Sequence, residues 1–251
     1  LVLCEGVTEE QALPIYFKEY FGTEPIFCGI NIIGIGGQNY QSFLKFIKDL
    51  GIKWFIFSDG EPSTIKTVKK AIKVISDSNI NDIPNVITLD NNEDYEQHLL
   101  ISGYGEMMIA GINKSQSDNL VEESDNSDFQ GDSKTYFETY INNNNHTSCG
   151  RHKTDKPPCE ACGQDIYEDN VRDYDGSDGF NRAIYDCCTG RNSKARYARY
   201  IADEIISQGN GINKIPPKVR ALFKEMAKQL NIQIRSEYCE DEPVANPTEN
   251  S

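Results

Sequence analysis

Six carboxylates, Glu5, Glu9, Asp59, Glu61, Asp94 and Glu96, fall in three short groups, each just after an apolar run. Hard divalent ions such as Mg²⁺ or Mn²⁺ prefer carboxylate oxygen and water. Two such ions about 3.5–4 Å apart can clamp the attacking and leaving oxygens of a phosphodiester. Glu9 lies one helical turn after Glu5, so the two share a face. A single acidic residue after a strand need only favour a helix start. Three groups brought to one edge repel one another unless a cation neutralises them. A second set is softer. Cys149, His152, Cys159 and Cys162 read C-x2-H-x6-C-x2-C. Two close pairs of this kind suit a closed, tetrahedral, structural Zn²⁺. His146, Cys187 and Cys188 are alternative ligands. The surrounding stretch has little apolar material, so a metal would supply its stabilisation.

The elements that must position the carboxylates follow from hydrophobic periodicity. Leu1–Cys4, Ile26–Ile33, Lys53–Phe57 and Val86–Leu89 are short apolar runs and predict four strands. Between them, Leu13, Tyr16, Phe17 and Tyr20 recur at helical spacing, with Thr8 as cap. Tyr40, Phe43, Leu44 and Ile47 predict a second helix. Ile65, Val68, Ala71, Ile72 and Ile75, opened by Pro62, predict a third. Strands that are apolar throughout and alternate with helices indicate an α/β fold, a parallel sheet covered on both faces. Ligands of such sheets bind beyond the carboxyl ends of the strands, where all three acidic groups fall. Gly34, Gly36 and Gly37 mark a tight strand-to-helix turn. No Lys-Ser/Thr follows, so it is not a P-loop. Cys4 and Cys28 are read as small core residues, and His98 as a surface histidine.

Residues 1–110 form the α/β core on this reading, and 111–170 a polar insertion rich in Asn, Ser, Asp and Lys that holds the zinc ligands. Residues 171–235 return to helical periodicity, with Tyr197, Ile201 and Ile205, then Val219, Leu222, Phe223 and Met226. Residues 236–251 form an acidic tail. The chain has 25 basic and 39 acidic residues and a net charge of −14. That excludes a polycation that holds nucleic acid by charge alone. No run approaches the ~20 apolar residues of a membrane helix, and no signal peptide is visible. The reading is therefore cytoplasmic, without a membrane partner. Leu1 rather than Met opens the chain, inside a strand, which suggests a domain further upstream.

Four motifs in order resemble the TOPRIM domain, a Rossmann-like fold, and within it the branch found in OLD-family (overcoming lysogenisation defect) nucleases. They are Glu5-Gly6 with Thr8-Glu9, Asp59-Gly60-Glu61, Asp94-Tyr95-Glu96, and a helix in which Lys194 precedes Ala195 and Ala198. The second motif ends in Glu61 where the common TOPRIM pattern has Asp. The resemblance implies metal-dependent DNA cleavage by the catalytic part of an ATP-dependent nuclease. It also implies an N-terminal ATPase domain, assembly into homo-oligomers through that domain, and a phage-defence role by analogy. Carried over by motif, Glu5 and Asp59 would bind one Mg²⁺ or Mn²⁺. Glu9, Glu61 and Glu96 would bind or border the second, with Asp94 a further candidate and Glu93 open as a substitute for Glu96. Lys194 would stabilise negative charge in the transition state. The zinc set comes from its spacing alone. Alternatives from other classes are a primase or recombination-mediator TOPRIM enzyme, and a zinc-stapled interaction module without catalysis.

Overall fold

A computed structural model of the protein describes residues 1–37, 39–123, 136–145, 157–158, 172–176, 178–190 and 194–239. Its centre is a four-stranded sheet of β1 (Val2–Cys4), β2 (Ile32–Gly34), β3 (Phe55–Ser58) and β4 (Val86–Thr88), in the order β2-β1-β3-β4. Every pairing is parallel, with Leu3 opposite both Ile33 and Ile56, and Phe57 opposite Ile87. β1 and β3 are buried throughout, as expected of central strands covered on both faces. Val2, Cys4, Phe55 and Phe57 point into one core, Leu3 and Ile56 into the other, because side chains alternate along a strand.

The second core is closed by α2 (Tyr40–Leu50) and α3 (Pro62–Ile72), which pack on each other. Leu44 and Ile47 of α2 meet Val68, Ala71 and Ile72 of α3 there. Pro62 opens α3 at a position where its missing N–H costs nothing. The first core is larger. α1 (Val7–Phe21) and α9 (Pro217–Leu230) supply Leu13, Tyr16, Phe17, Leu222 and Phe223. α4 (Tyr95–Ile101), α5 (Gly105–Glu123), α6 (Tyr136–Asn144), α7 (Gly179–Thr189) and α8 (Lys194–Gln208) complete it. α5 lies along α8, and α8 along α1. Among the described residues, no helix is long and apolar enough to cross a membrane.

Five expectations change. The run Ile26–Ile33 is not one strand. Pro25–Cys28 forms a tight helical turn closed by Gly29 at φ 69°, and the strand starts at Ile32. Phe27 is 81% exposed there, so apolar character misled the reading, and Cys28 is only half-buried outside any strand. Thr8 does not cap α1. Gly6 occupies that position, and the Glu9 side chain reaches back to its N–H. The polar insertion does not start at 111, since α5 runs through that position and buries Ile112 and Ser115. The tail does not start at 236. Tyr238 is buried and its hydroxyl donates to Glu19 Oε1 at 2.7 Å. Lys214 Nζ (3.2 Å) and Arg235 Nη1 (3.1 Å) also bond the Glu19 carboxylate. Burial raises the Glu19 carboxyl, but Tyr238, Lys214 and Arg235 outweigh it and hold it below the usual range.

Candidate active site

Parallel strands deliver their carboxyl ends to one edge. Glu5 leaves β1 there, and Asp59 and Glu61 leave β3. β4 exits through Asn91 and Asn92, both at positive φ (49° and 69°), a conformation asparagine tolerates better than most residues. This turn carries the chain to Asp94, which caps α4. Asp94 Oδ1 accepts from Gln97 N–H (2.9 Å), and Gln97 Oε1 accepts from Asp94 N–H (3.2 Å). Asp94 Oδ2 takes the Tyr185 hydroxyl at 2.7 Å. Both oxygens of Asp94 are thus engaged.

The other carboxylates are held one by one. Thr64 Oγ1 donates to Glu5 Oε1 at 3.2 Å, across from α3. Glu9 is 5% exposed and its Oε2 accepts from Gly6 N–H at 3.0 Å. Glu96 is 4% exposed, with Thr8 Oγ1 on Oε1 (3.2 Å) and Lys194 Nζ on Oε2 (3.3 Å). Lys194 and Glu96 are 98 positions apart in sequence. Glu61 is exposed at the start of α3, within 3.4 Å of the Ser63 hydroxyl. Among the described residues, two buried carboxylate oxygens have no hydrogen-bond partner, Glu5 Oε2 and Asp59 Oδ1.

The electrostatics bind these groups into one field. Burial pushes Asp59 up to about 9, and Glu9, Glu5, Asp94 and Glu96 add to the rise. Burial pushes Glu9 up to about 7, with the charges of Glu96 and Glu5 helping. Glu5 rises mainly by burial, against the Thr64 hydrogen bond. Glu96 also rises by burial, which outweighs the nearby Lys194. Burial alone would lower Lys194, but Glu96 and Asp94 raise it. Yet among the described residues no three His, Cys, Asp or Glu side chains are grouped so that together they could hold a metal ion. The two observations describe different things: mutual charge reaches further than shared coordination. An Mg²⁺ site needs only one or two carboxylates, with water completing the shell. An all-oxygen donor set with two unpartnered buried oxygens fits a hard divalent ion of that kind.

Several supporting residues escaped the sequence reading. Thr64 and Tyr185 carry no signal beyond their side chains, and Thr8, part of the first motif, shows its contact with Glu96 only in the fold. Glu93 and Glu96 are separated by the fold. Glu96 faces Thr8 and Lys194, whereas Glu93 Oε2 lies 3.3 Å from His98 Nδ1. His98 is buried, 6% exposed, not a surface residue, because α4 turns it inward between Glu93 and the start of α9. Gly36 and Gly37 adopt positive φ (66° and 91°), and Gly37 N–H donates to Glu5 carbonyl at 3.0 Å. The glycine turn therefore braces the exit of β1. Cys149, His152, Cys159, Cys162 and His146 lie outside the described residues. Cys187 and Cys188 are buried in the first core, and burial drives both thiols up, which disfavours the thiolate a metal needs.

Residues 1–60 match the family model described as overcoming lysogenization defect protein-like, TOPRIM domain. No curated protein matches the chain. Among solved structures, the chain is similar to the C-terminal region of the Xanthomonas campestris pv. campestris OLD protein. The mercury-phased structure superposes with a TM-score of 0.52 at 15% identity, over 92% of this chain and 95% of that one. The iodine-phased structure gives 0.52 and 15%, over 92% and 94%. At this identity the superposition speaks for fold, and the family model speaks for the segment that bears Glu5, Glu9 and Asp59. Residues 1–60 thus carry the match to an OLD-like TOPRIM domain, and the chain shares the fold of the OLD C-terminal region.

Proposed function

We propose that this chain is a metal-dependent DNA endonuclease or nickase domain that hydrolyses phosphodiester bonds. The observation that carries the reading is the pair of buried, unpartnered oxygens, Glu5 Oε2 and Asp59 Oδ1, among carboxylates that raise one another's proton affinity. A buried acceptor left without a donor costs about 1–3 kcal/mol, and a divalent cation would offset it. Glu5 and Asp59 would hold one Mg²⁺ or Mn²⁺. Glu9, Glu61 and Glu96 would hold or border a second, with Asp94 a further candidate; both oxygens of Asp94 and of Glu96 already accept hydrogen bonds, so a cation there would share them. Such ions supply charge neutralisation and polarisation of the phosphoryl group when bound. The chain's own residues do the rest. Thr64 orients Glu5, Thr8 and Lys194 orient Glu96, and Tyr185 with the α4 cap fixes Asp94. Lys194, partly exposed beside Glu96, can turn its ammonium toward negative charge developing on a phosphate.

The finer assignments belong to the same proposal: an ATPase domain N-terminal to this one, homo-oligomers built through it, a cytoplasmic setting and a phage-defence role. So does a structural Zn²⁺ on Cys149, His152, Cys159 and Cys162, supported by spacing alone. Elemental analysis of protein purified under reducing, chelator-free conditions should find about one zinc per chain, as one tetrahedral Cys/His set holds. Cys159→Ser with Cys162→Ser should remove it. Zinc-free protein from that purification sinks the assignment.

Nicking of supercoiled plasmid tests the activity. It should require Mg²⁺ or Mn²⁺ and fall in Glu5→Ala by at least the roughly 10–100-fold that loss of a group supporting a metal ligand costs. Primer synthesis from nucleotides would favour the primase type instead. Metal binding with neither activity would leave an interaction module.

A further inference from the structure

α3 carries Lys66, Lys69 and Lys70, and Lys73 caps its C-terminal end; the spacing i, i+3, i+4 and i+7 places the four on one face. All four are exposed, and among the described residues none has an ion-pair partner. Like charges at this spacing repel by a few tenths of a kcal/mol per pair. The helix dipole favours Lys69, Lys70 and Lys73 near the α3 terminus. It does not account for Lys66, nor for where the strip begins. The four lysines and Ile65 line an open groove whose upper end is Gly60 and Pro62, between the exit of β3 and the start of α3. The groove therefore opens beside Asp59 and Glu61. Charge is segregated to match. Residues 38–76 hold seven lysines against three acidic residues, a local excess of four positive charges in a chain of net charge −14.

From this juxtaposition we infer that the α3 lysine face is the track on which the phosphodiester backbone of a DNA duplex lies as it enters the carboxylate site. The inference rests on the nuclease reading above and names how its substrate is held. A site of net negative charge repels DNA until cations fill it, so affinity must come from a basic surface next to it. The face spans about 10 Å along the helix, seven residues at 1.5 Å each, enough for neighbouring phosphates of one strand. Its composition selects the duplex. Single-strand grooves interleave basic side chains with aromatic rings on which bases stack. The groove lining here has four lysines and no aromatic ring. Lysine meets phosphate as a point charge and reads no sequence, so binding should be indifferent to base order.

Binding separates from cutting in EDTA. Anisotropy of a short labelled duplex is followed between about 50 and 200 mM salt, the range over which phosphate contacts show. Lys66→Ala with Lys69→Ala and Lys70→Ala is expected to weaken binding tenfold or more at the low-salt end. It should also reduce the slope of log affinity against log salt by about 2–3, roughly one per phosphate contact. Lys228→Ala, exposed on α9 across the sheet, should leave both unchanged. The substituted side chains are exposed, so an unaltered unfolding midpoint is expected to accompany the loss. Retained affinity and slope in the triple variant overturn the track, as does tighter binding of single strands than of duplex, or no duplex binding by the parent. Nicking with Mn²⁺ is read in parallel. A parent that binds through these lysines but never cuts sinks the nuclease reading and leaves the track. A parent that cuts, with a triple variant that binds and cuts equally well, does the reverse.

Discussion

Asp59→Asn is expected to abolish metal-dependent nicking and, without metal, to make the protein more stable than its parent. The substitution keeps the shape of the side chain and removes its titration, so folding no longer requires the uptake of a proton. Asp59 Oδ1 is buried without a partner, and burial with the charges of Glu9 and Glu5 pushes the carboxyl up to about 9. The folded state therefore holds the Asp59 proton longer than the unfolded chain, where the ordinary value is 3.8. Stability from this group is complete at pH values below that ordinary value. It is lost as the pH climbs toward about 9, where the carboxyl ionises in the fold too. At neutral pH the parent carries the penalty and the asparagine does not. Its amide can donate to a neighbouring carboxylate oxygen, which relieves a buried acceptor worth about 1–3 kcal/mol. Thermal unfolding in EDTA should show a midpoint higher by about 2–4 °C per kcal/mol gained. It should also vary less with pH than in the parent. Added Mn²⁺ should stabilise the parent by mass action and the variant far less. A variant that melts lower than the parent in EDTA, or that still nicks at the parental rate, contradicts the cation site.

This trade of stability for charge shows why part of the site was legible in sequence. Continuous apolar runs announce strands buried on both faces, and parallel strands share one carboxyl edge, so Glu5, Asp59 and the acidic loop after β4 could be assigned to one edge without a structure, with Glu93 and Glu96 both open. β2 was misjudged because Ile26 and Phe27 are apolar yet exposed, and only the turn set by Pro25 and Gly29 shows where the strand starts. Lys194 came from the resemblance. Nothing local pairs it with Glu96, since that contact needs α8 laid against α1 beside α4. Thr64, Tyr185 and the burial of His98 were hidden for the same reason: each is set by which helix face packs inward across the sheet. Tyr238 looked like part of a polar tail because its partner Glu19 sits 219 positions earlier.

Gly60→Ala should lower both stability and activity, although it adds a single methyl group and touches no carboxylate. A Cβ at Gly60 would stand 2.6 Å from the Leu89 carbonyl oxygen and 2.9 Å from that of Asp90. These are backbone atoms, so no side-chain rotation relieves the contact, and the exit of β4 must move. That exit is stitched to β3 by Leu89 N–H on the Ser58 carbonyl (2.9 Å) and by Gly60 N–H on the Glu93 carbonyl (2.8 Å). Pushing the two loops apart separates Asp59 and Glu61 from Asp94 and Glu96, the acids that the sheet edge exists to gather. Overpacking of this kind costs about 1–3 kcal/mol, a drop of about 2–4 °C in unfolding midpoint per kcal/mol. A displacement near 1 Å can cost about 100-fold in rate. Gly105→Ala is the matched comparison, because its added methyl would meet side-chain atoms alone, the nearest being Ile184 Cδ1 at 3.4 Å. It should unfold and nick much as the parent does. If Gly60→Ala melts and nicks like Gly105→Ala, the close approach between the β3 and β4 exits does not govern the site.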